Sequence, residues 1–211
     1  MNRYIKSIAA ASAVSLLLCG CSTEADNESI PDNTSSVSDT ELLDEAVQPF
    51  KDYFSGFLAK DGEKVLFSTT PQTYIDEMKA TGKYEELLSQ TVDSLIPVTL
   101  GSWEEQYGDN VSVEFIEITD SSRLSAEQLD LAELCYKYGY YDINAEAEVA
   151  EGFEVKFRYS ISGSESSVEN ELTNCFVRID NDGWKMLSIT AADLEQFRGA
   201  DSIKSEENPE T

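Results

Sequence analysis

The hydrophobic period of the chain changes near residue 110. Before that point, apolar residues recur three and four positions apart, which is the spacing of amphipathic helices. From Asn110 onward, apolar residues alternate with polar ones, as is typical of half-buried strands. Helices followed by strands predict an α+β domain, in which N-terminal helices pack on one face of a curved antiparallel sheet.

Two prolines and one threonine mark boundaries within the helical half. Pro49 removes a backbone donor and crowds the preceding turn, which predicts a kink or a break one residue earlier. Thr70 is expected to cap a short helix that has Pro71 as its first residue. Pro97 is expected to stop or kink the third helix.

The strand half contains one further helix and one tight turn. Ser125 and Gln128 have the spacing of a capping box, which predicts a helix between the first and second strands. Around residues 172–179, even-numbered and odd-numbered side chains are expected on opposite faces of a strand. Residues 180–183 read Asp-Asn-Asp-Gly and are interpreted as a hairpin turn, because Asp-Gly is favoured there and the calcium-binding Glu of an EF-hand loop is missing.

The first 21 residues have the parts of an export signal. Arg3 and Lys6 precede an apolar run over residues 8–18, which is shorter than the roughly 20 apolar residues that span a bilayer. Gly20 places a small residue before Cys21, and the stretch resembles the lipobox of bacterial lipoproteins. The resemblance implies cleavage before Cys21, a diacylglycerol thioether on its sulfur and acylation of the new amine. An ordinary cleaved signal and an uncleaved apolar helix are the alternatives.

These features divide the chain into four parts. We predict a signal peptide over residues 1–20, a lipidated cysteine with a polar, disordered tether over 21–39, a single α+β domain over 40–199, and a disordered acidic tail over 200–211. The expected location is the outer side of the cytoplasmic membrane, to which lipid on Cys21 anchors the domain.

The charge of the chain limits its partners. The formal net charge is −26 at pH 7, which repels nucleic acid and anionic lipid headgroups. We therefore expect no nucleic-acid partner and no domain lying flat on the bilayer. Such a surface attracts cations or a basic partner, or it serves only to keep the domain soluble.

Four cysteines and the absence of histidine limit the chemistry. Cys19 is expected to leave with the signal peptide and Cys21 to carry lipid, so Cys135 and Cys175 remain. An oxidising compartment would allow a disulfide between this pair, and the alternative is two buried thiols. The chain has no histidine, which excludes Ser-His-Asp and Cys-His nucleophiles. The sequence contains no recognisable metal site, catalytic motif or cofactor-binding motif, so no metal or cofactor is expected.

Aromatic residues supply the remaining candidate site. A cluster of tyrosines is predicted either to rim a ligand groove by ring stacking or to cover a corner between a helix and a strand. The cluster comprises Tyr136, Tyr138, Tyr140 and Tyr141. Trp103, Tyr107 and Trp184 are expected in the core or in a pocket wall.

Two stretches resemble nuclear-transport-factor-two-like domains of the cystatin-like α+β class. The first is Phe50-x-x-x-Phe54-x-x-Phe57 with the turn that follows, and the second is Asp182-Gly183-Trp184-Lys185-Met186. The similarity covers roughly residues 41–191 and is greatest to small uncharacterised lipoproteins of Gram-positive bacteria. It implies a cone-like roll whose open end can hold a small molecule. The helix that begins at Ser125 departs from the minimal domain.

The combined features predict a membrane-tethered extracytoplasmic lipoprotein that binds or assembles without catalysis. The resemblance leaves two alternatives. One is an enzyme of the ketosteroid-isomerase type that uses Tyr and Asp or Glu, although no motif of that enzyme matches positions in this chain. The other is a homodimeric structural protein of the envelope. The ligand or protein partner remains unidentified at this stage.

Overall fold

The computed structural model of the protein describes residues 37–139, 143 and 145–198, with side chains from residue 41 onward. The predicted signal peptide, the lipid-attachment residue Cys21 and almost all of the tether lie outside the described residues, as does the tail over 200–211. The helices are α1 (Val37–Ala46), α2 (Gln48–Ala59), α3 (Gly62–Thr69), α4 (Gln72–Ala80), α5 (Lys83–Gln90), a π-helical segment (Thr91–Leu95), α6 (Ile96–Tyr107), α7 (Ala126–Gly139), α8 (Ala191–Leu194) and a 3₁₀ turn (Glu195–Phe197).

In the part of the chain that the structure describes, four strands form one antiparallel sheet in the order β1-β2-β3-β4. They are β1 (Ser112–Arg123), β2 (Val149–Ser162), β3 (Ser167–Ile179) and β4 (Gly183–Leu187). The pairing of β1 with β2 shifts register twice, between Phe115 and Glu117 and between Ile118 and Asp120. The sheet and the helices confirm the α+β class.

Two hydrophobic clusters lie on opposite faces of the sheet. The aromatic cluster joins α2 and α6 to the sheet, and its members include Phe50, Phe54, Phe57, Trp103, Phe157, Tyr159 and Phe176. The second cluster joins α4, α7 and α8 to the other face, and its members include Tyr74, Leu131, Ala132, Tyr136, Cys175, Val177 and Ile179. Because consecutive residues Cys175 and Phe176 belong to different clusters, the predicted alternation along β3 is confirmed.

The prediction that helices cover one face of the sheet was wrong. At the β3–β4 end, helices pack on both faces. Helix α3 runs beside the edge strand β4 and contributes Val65 to the aromatic cluster and Leu66 to the second cluster. The chain thus wraps around this edge of the sheet, and the Lys156 and Arg158 side chains on β2 remain accessible to solvent.

The two prolines behave differently. Helix α1 ends at Ala46 and α2 begins at Gln48 with Pro49 in its first turn, which confirms the predicted break. Pro97 does not end the helical path of the chain, because the π-helical segment before it continues directly into α6. The backbone N–H of Ile96 donates to the Thr91 carbonyl five residues earlier, and this wider turn relieves the usual clash between proline and the preceding turn.

Of the two predicted N-terminal helix caps, that of α7 is confirmed and that of α4 is wrong. Helix α7 has the predicted box, in which Gln128 N–H donates to Ser125 Oγ (3.3 Å) and Ser125 N–H donates to Gln128 Oε1 (2.8 Å). The N-cap residue of helix α4 is Pro71 rather than Thr70, and it has no side chain that could cap the helix. Its first N–H, that of Gln72, donates instead to Asp182 Oδ2 in the β3–β4 turn (2.5 Å).

Candidate functional site

The interior between α2, α6 and the sheet is filled by aromatic rings. The Phe54 ring lies 5.8 Å from the Trp103 ring and 6.0 Å from the Tyr159 ring, measured between centroids. The Phe50 ring lies 4.6 Å from that of Phe157. These distances are typical of packed aromatic pairs. The place where a cone-shaped domain would hold a small molecule is therefore occupied by the protein's own side chains.

A shallow groove lies outside this packed interior, between the start of α2 and the sheet. Its volume is about 580 Å³, and its lining residues are Asp44, Glu45, Gln48, Pro49, Lys51, Asp52 and Trp184. Trp184 packs on Phe153, with 5.8 Å between ring centroids, and so has a defined position on the sheet. The sequence predicted Trp103, Tyr107 and Trp184 in the core or in a pocket wall. Trp103 and Tyr107 are buried in the core, whereas Trp184 is the aromatic side chain of the groove.

The groove carries more negative than positive charge. Asp52 is engaged, since it accepts from Gln48 Nε2 (3.3 Å) and pairs with Lys64 Nζ (3.2 Å). Lys51 is directed to the Phe115 ring, with its Nζ 4.8 Å from the centroid. Asp44 and Glu45 are exposed on α1. These two carboxylates form a negative rim on the α1 side of the groove.

Arginines border the groove on the sheet side. Arg178 is the cross-strand neighbour of Trp184 in the β3–β4 ladder. Its Nε donates to Glu151 Oε1 at 2.7 Å, and Arg123 pairs with the other oxygen of Glu151 at 3.3 Å. The Arg123 guanidinium also lies over the Phe153 ring, 4.8 Å from its centroid. Glu151 thus binds two guanidinium groups beside Trp184, which forms the aromatic floor of the groove.

Burial makes the interior tyrosines poor proton donors. Burial raises the pKa of Tyr53, and it raises that of Tyr159 with a smaller contribution from Tyr107. Both hydroxyls stay protonated near neutral pH. Among the described residues, no aspartate or glutamate is fully buried beside them.

The predicted tyrosine rim is only partly within the described residues. Tyr136 is completely buried and lies 6.0 Å from Tyr74, ring to ring, so a rim role for Tyr136 was wrong. Its position on the inner side of α7 places it in the second cluster. Tyr138 is partly buried and lies beside Lys137. Tyr140 and Tyr141 lie outside the described residues.

Both remaining cysteines are free thiols that contact the second cluster. Cys175 is fully buried on β3, and Cys135 is partly buried on α7. Burial raises the pKa of the Cys135 thiol to about 12. Their environment is apolar, which does not favour a reactive thiolate.

Metal and membrane features are equally limited in the described part of the chain. No group of three or more metal-binding side chains is found there. Residues 180–182 form the turn between β3 and β4, as the hairpin interpretation predicted. Within residues 37–139, 143 and 145–198, no helix is long and apolar enough to cross a bilayer.

Comparison with known proteins gives no relative. No family model, no curated protein and no solved structure matches this chain. Sequence reasoning missed the groove, because its acidic rim lies on α1 and its aromatic floor on β4, and only the fold joins them.

Proposed function

We propose that the protein is a membrane-tethered, extracytoplasmic lipoprotein whose α+β domain binds a partner without catalysis. The packed aromatic interior is the observation that carries the second half of the proposal. Phe54 and Trp103 fill the space between helices and sheet that a small-molecule enzyme of this architecture would keep open. Binding is then left to the surface, where the groove beside Trp184 combines an aromatic face with carboxylates.

The lipid anchor is supported by residues 1–21 and by the charge of the domain. The short apolar run and Gly20-Cys21 favour lipidation over a spanning helix. Anionic headgroups repel a chain with a net charge of −26, so electrostatic attraction would not hold the domain at the membrane. The lipid on Cys21 would hold the domain near the membrane through a polar tether.

A cone-like roll of the nuclear-transport-factor-two type remains our proposal for the finer fold. The order of helices and antiparallel strands agrees with it. Helix α7 adds a second layer on the face that carries Cys175 and Val177. This helix would distinguish the protein from a minimal domain of that superfamily.

An isomerase-like activity is less well supported than binding. Such chemistry needs a carboxylic acid and a tyrosine that face an apolar cavity. In the described part of the chain the buried polar residues are serine, threonine, asparagine and lysine, and the ring of Tyr159 packs directly on Phe54.

A homodimer through the sheet face that carries Lys156 and Arg158 is also less well supported. Arg158 pairs with Glu117 on β1 and with Glu169 on β3. Lys156 pairs with Glu171 in the same way. Ion pairs of this kind keep a face hydrated, whereas a stable dimer needs a largely apolar patch.

The acidic rim indicates a basic partner, and tryptophan fluorescence tests this. Trp103 is buried and Trp184 is half-buried, so a Trp103→Phe variant reports on the groove alone. We expect a lysine-rich peptide to change Trp184 emission in a saturable, salt-sensitive manner. A glutamate-rich peptide of equal length serves as the control.

The role of the rim is tested by a charge variant with a matched control. Asp44→Asn/Glu45→Gln should weaken peptide binding several-fold. Glu104→Gln/Glu105→Gln removes the same charge from an exposed part of α6 and should have little effect. Equal loss in both variants, or no change of Trp184 emission at all, would contradict binding at the groove.

A further inference from the structure

Trp184 lies next to charges of both signs. Asp44 and Glu45 line the groove together with Trp184 and are exposed on α1. Arg178 pairs directly with Trp184 in the β3–β4 ladder, so the two side chains lie on one face of the sheet with their Cβ atoms about 5 Å apart. Arg178 does not line the groove and therefore lies just beyond Trp184. A ligand that covers Trp184 thus meets carboxylates within the groove and a guanidinium at its border.

Arg178 retains the capacity to bind a further carboxylate. Its Nε donates to Glu151 Oε1 (2.7 Å), and Glu151 Oε2 pairs with Arg123 Nη1 (3.3 Å). One carboxylate therefore serves two guanidinium groups, and the three side chains together carry a net positive charge. The Arg178 side chain is 43% exposed, and the bond to Glu151 uses only one of the several N–H donors of a guanidinium. Its terminal nitrogens can therefore donate to a carboxylate of a partner.

The two arginines that share Glu151 are positioned by the same ring as Trp184. The Arg123 guanidinium lies 4.8 Å from the Phe153 centroid, and the Trp184 ring lies 5.8 Å from it. Phe153 is buried in the aromatic cluster. Because these contacts exist before a partner arrives, the site loses little conformational freedom on binding.

The groove side of Trp184 suits a cation. Tryptophan is the aromatic side chain that attracts a cation best over its face. Asp44 and Glu45 add the attraction of opposite charge. Lys51, which also lines the groove, has its Nζ 4.8 Å from the centroid of the Phe115 ring and is thus directed toward β1.

We propose that the protein partner presents a dipolar segment to the groove. A basic side chain of this segment lies between Trp184 and the carboxylates of α1, and an acidic side chain binds Arg178. This inference rests on the proposed binding at the groove and specifies the chemistry of the partner. Two positions apart is the shortest spacing that puts both side chains on one side of an extended segment.

The charges of the site would give the partner a direction. A purely basic segment brings a cation against Arg178, and a purely acidic segment meets the rim formed by Asp44 and Glu45. A dipolar segment in the wrong direction has both faults. Repulsion therefore contributes to specificity as much as attraction does.

Three peptides with blocked ends test the proposal on the full-length chain with Trp103→Phe, in which Trp184 emission reports binding. The first has a run of alternating Lys and Ala, a Glu two positions after the last Lys, and a Gly-Ser extension. The second has Gln in place of that Glu. The third has the Glu moved to the far end of the extension.

The order of the three affinities separates a dipolar site from general attraction. We expect the first peptide to bind about two- to fivefold more tightly than the second, which is the strength of an exposed ion pair. The third should bind no more tightly than the second. General attraction to an acidic protein predicts that the first binds less tightly than the second, because its Glu lowers the positive charge of the peptide.

Two arginine variants assign the preference to Arg178. Arg178→Gln should remove the preference for the first peptide over the second. Arg158→Gln removes the same charge from a side chain that is 41% exposed on the other face of the sheet, and it should keep the preference. Equal binding of the first two peptides, or a preference that survives Arg178→Gln, would overturn the dipolar segment and leave a basic partner intact. Absence of binding by all three peptides would overturn both proposals.

Discussion

The carboxylate of Asp182 lies 2.9 Å from Nζ of Lys185, and both side chains are largely withdrawn from solvent. Lys185 also donates to the Phe67 carbonyl (3.0 Å), and Asp182 accepts from the N–H of Gln72 (2.5 Å). The ion pair in the β3–β4 hairpin therefore provides a donor for a carbonyl near the end of α3 and an acceptor for the first N–H of α4. The turn that the sequence identified by its Asp-Gly pair has a second role in holding the helical layer to the sheet.

Removal of Asp182 should destabilise the domain strongly. Asp182→Ala leaves Lys185 buried without its counter-ion and Gln72 without its acceptor. We expect a loss of about 3 kcal/mol in the free energy of unfolding, measured by urea denaturation. Asp180→Ala, in the same turn but exposed, is the control and should cost less than about 1 kcal/mol. Equal losses in the two variants would mean that the buried pair contributes nothing specific.

Gly62 is needed because the π-helical segment packs directly against it. A Cβ at this position would lie 2.5 Å from Val92 Cγ2 and 2.9 Å from Leu88 Cδ1. We expect Gly62→Ala to lower the free energy of unfolding by about 1–3 kcal/mol. Gly101→Ala, on a helix surface with open space around it, should stabilise by up to about 1 kcal/mol. A neutral Gly62→Ala would show that the segment repacks freely.

The pH dependence of stability should include a contribution from Tyr84 at alkaline pH. Burial, and next the hydrogen bond with Glu63 (3.0 Å), raise the pKa of Tyr84 to about 12. Ionisation is then easier in the unfolded chain, so stability is complete below pH 10 and falls as pH rises toward 12. Tyr84→Phe should flatten this fall, measured as the free energy of unfolding against pH. An unchanged slope would contradict the assignment.

The aromatic interior should behave as core and not as a ligand pocket. Phe54→Ala is expected to cost about 3–5 kcal/mol, because a large ring is removed from contact with Phe50, Trp103 and Tyr159. Phe54→Leu should cost less, since it keeps most of the volume. Urea denaturation measures both, and a loss below about 1 kcal/mol for Phe54→Ala would indicate a loosely filled interior.

The features that depend on neighbouring residues could be predicted from the sequence. The break before Pro49, the box of Ser125 and Gln128, and the alternation along β3 follow from local sterics and hydrogen bonding. The second layer on the sheet was missed, because α7 has a hydrophobic stripe that gives no information about which face it will cover.

Long-range partners could not be predicted. The cap of α4 comes from Asp182, which is distant in sequence, so Thr70 was the only local candidate. The burial of Tyr136 likewise depends on Tyr74. At the groove, Trp184 was predicted to lie either in the core or in a pocket wall, but the carboxylates on α1 were indistinguishable from others in so acidic a chain.

The lipid anchor underlies the proposed location, and an intact mass of the membrane-extracted protein tests it most directly. We expect a chain that begins at Cys21 and carries the added mass of a diacylglycerol group. Cys21→Ser should abolish this addition. A chain that keeps residues 1–20, or one that begins at Cys21 with no lipid mass, would contradict the account.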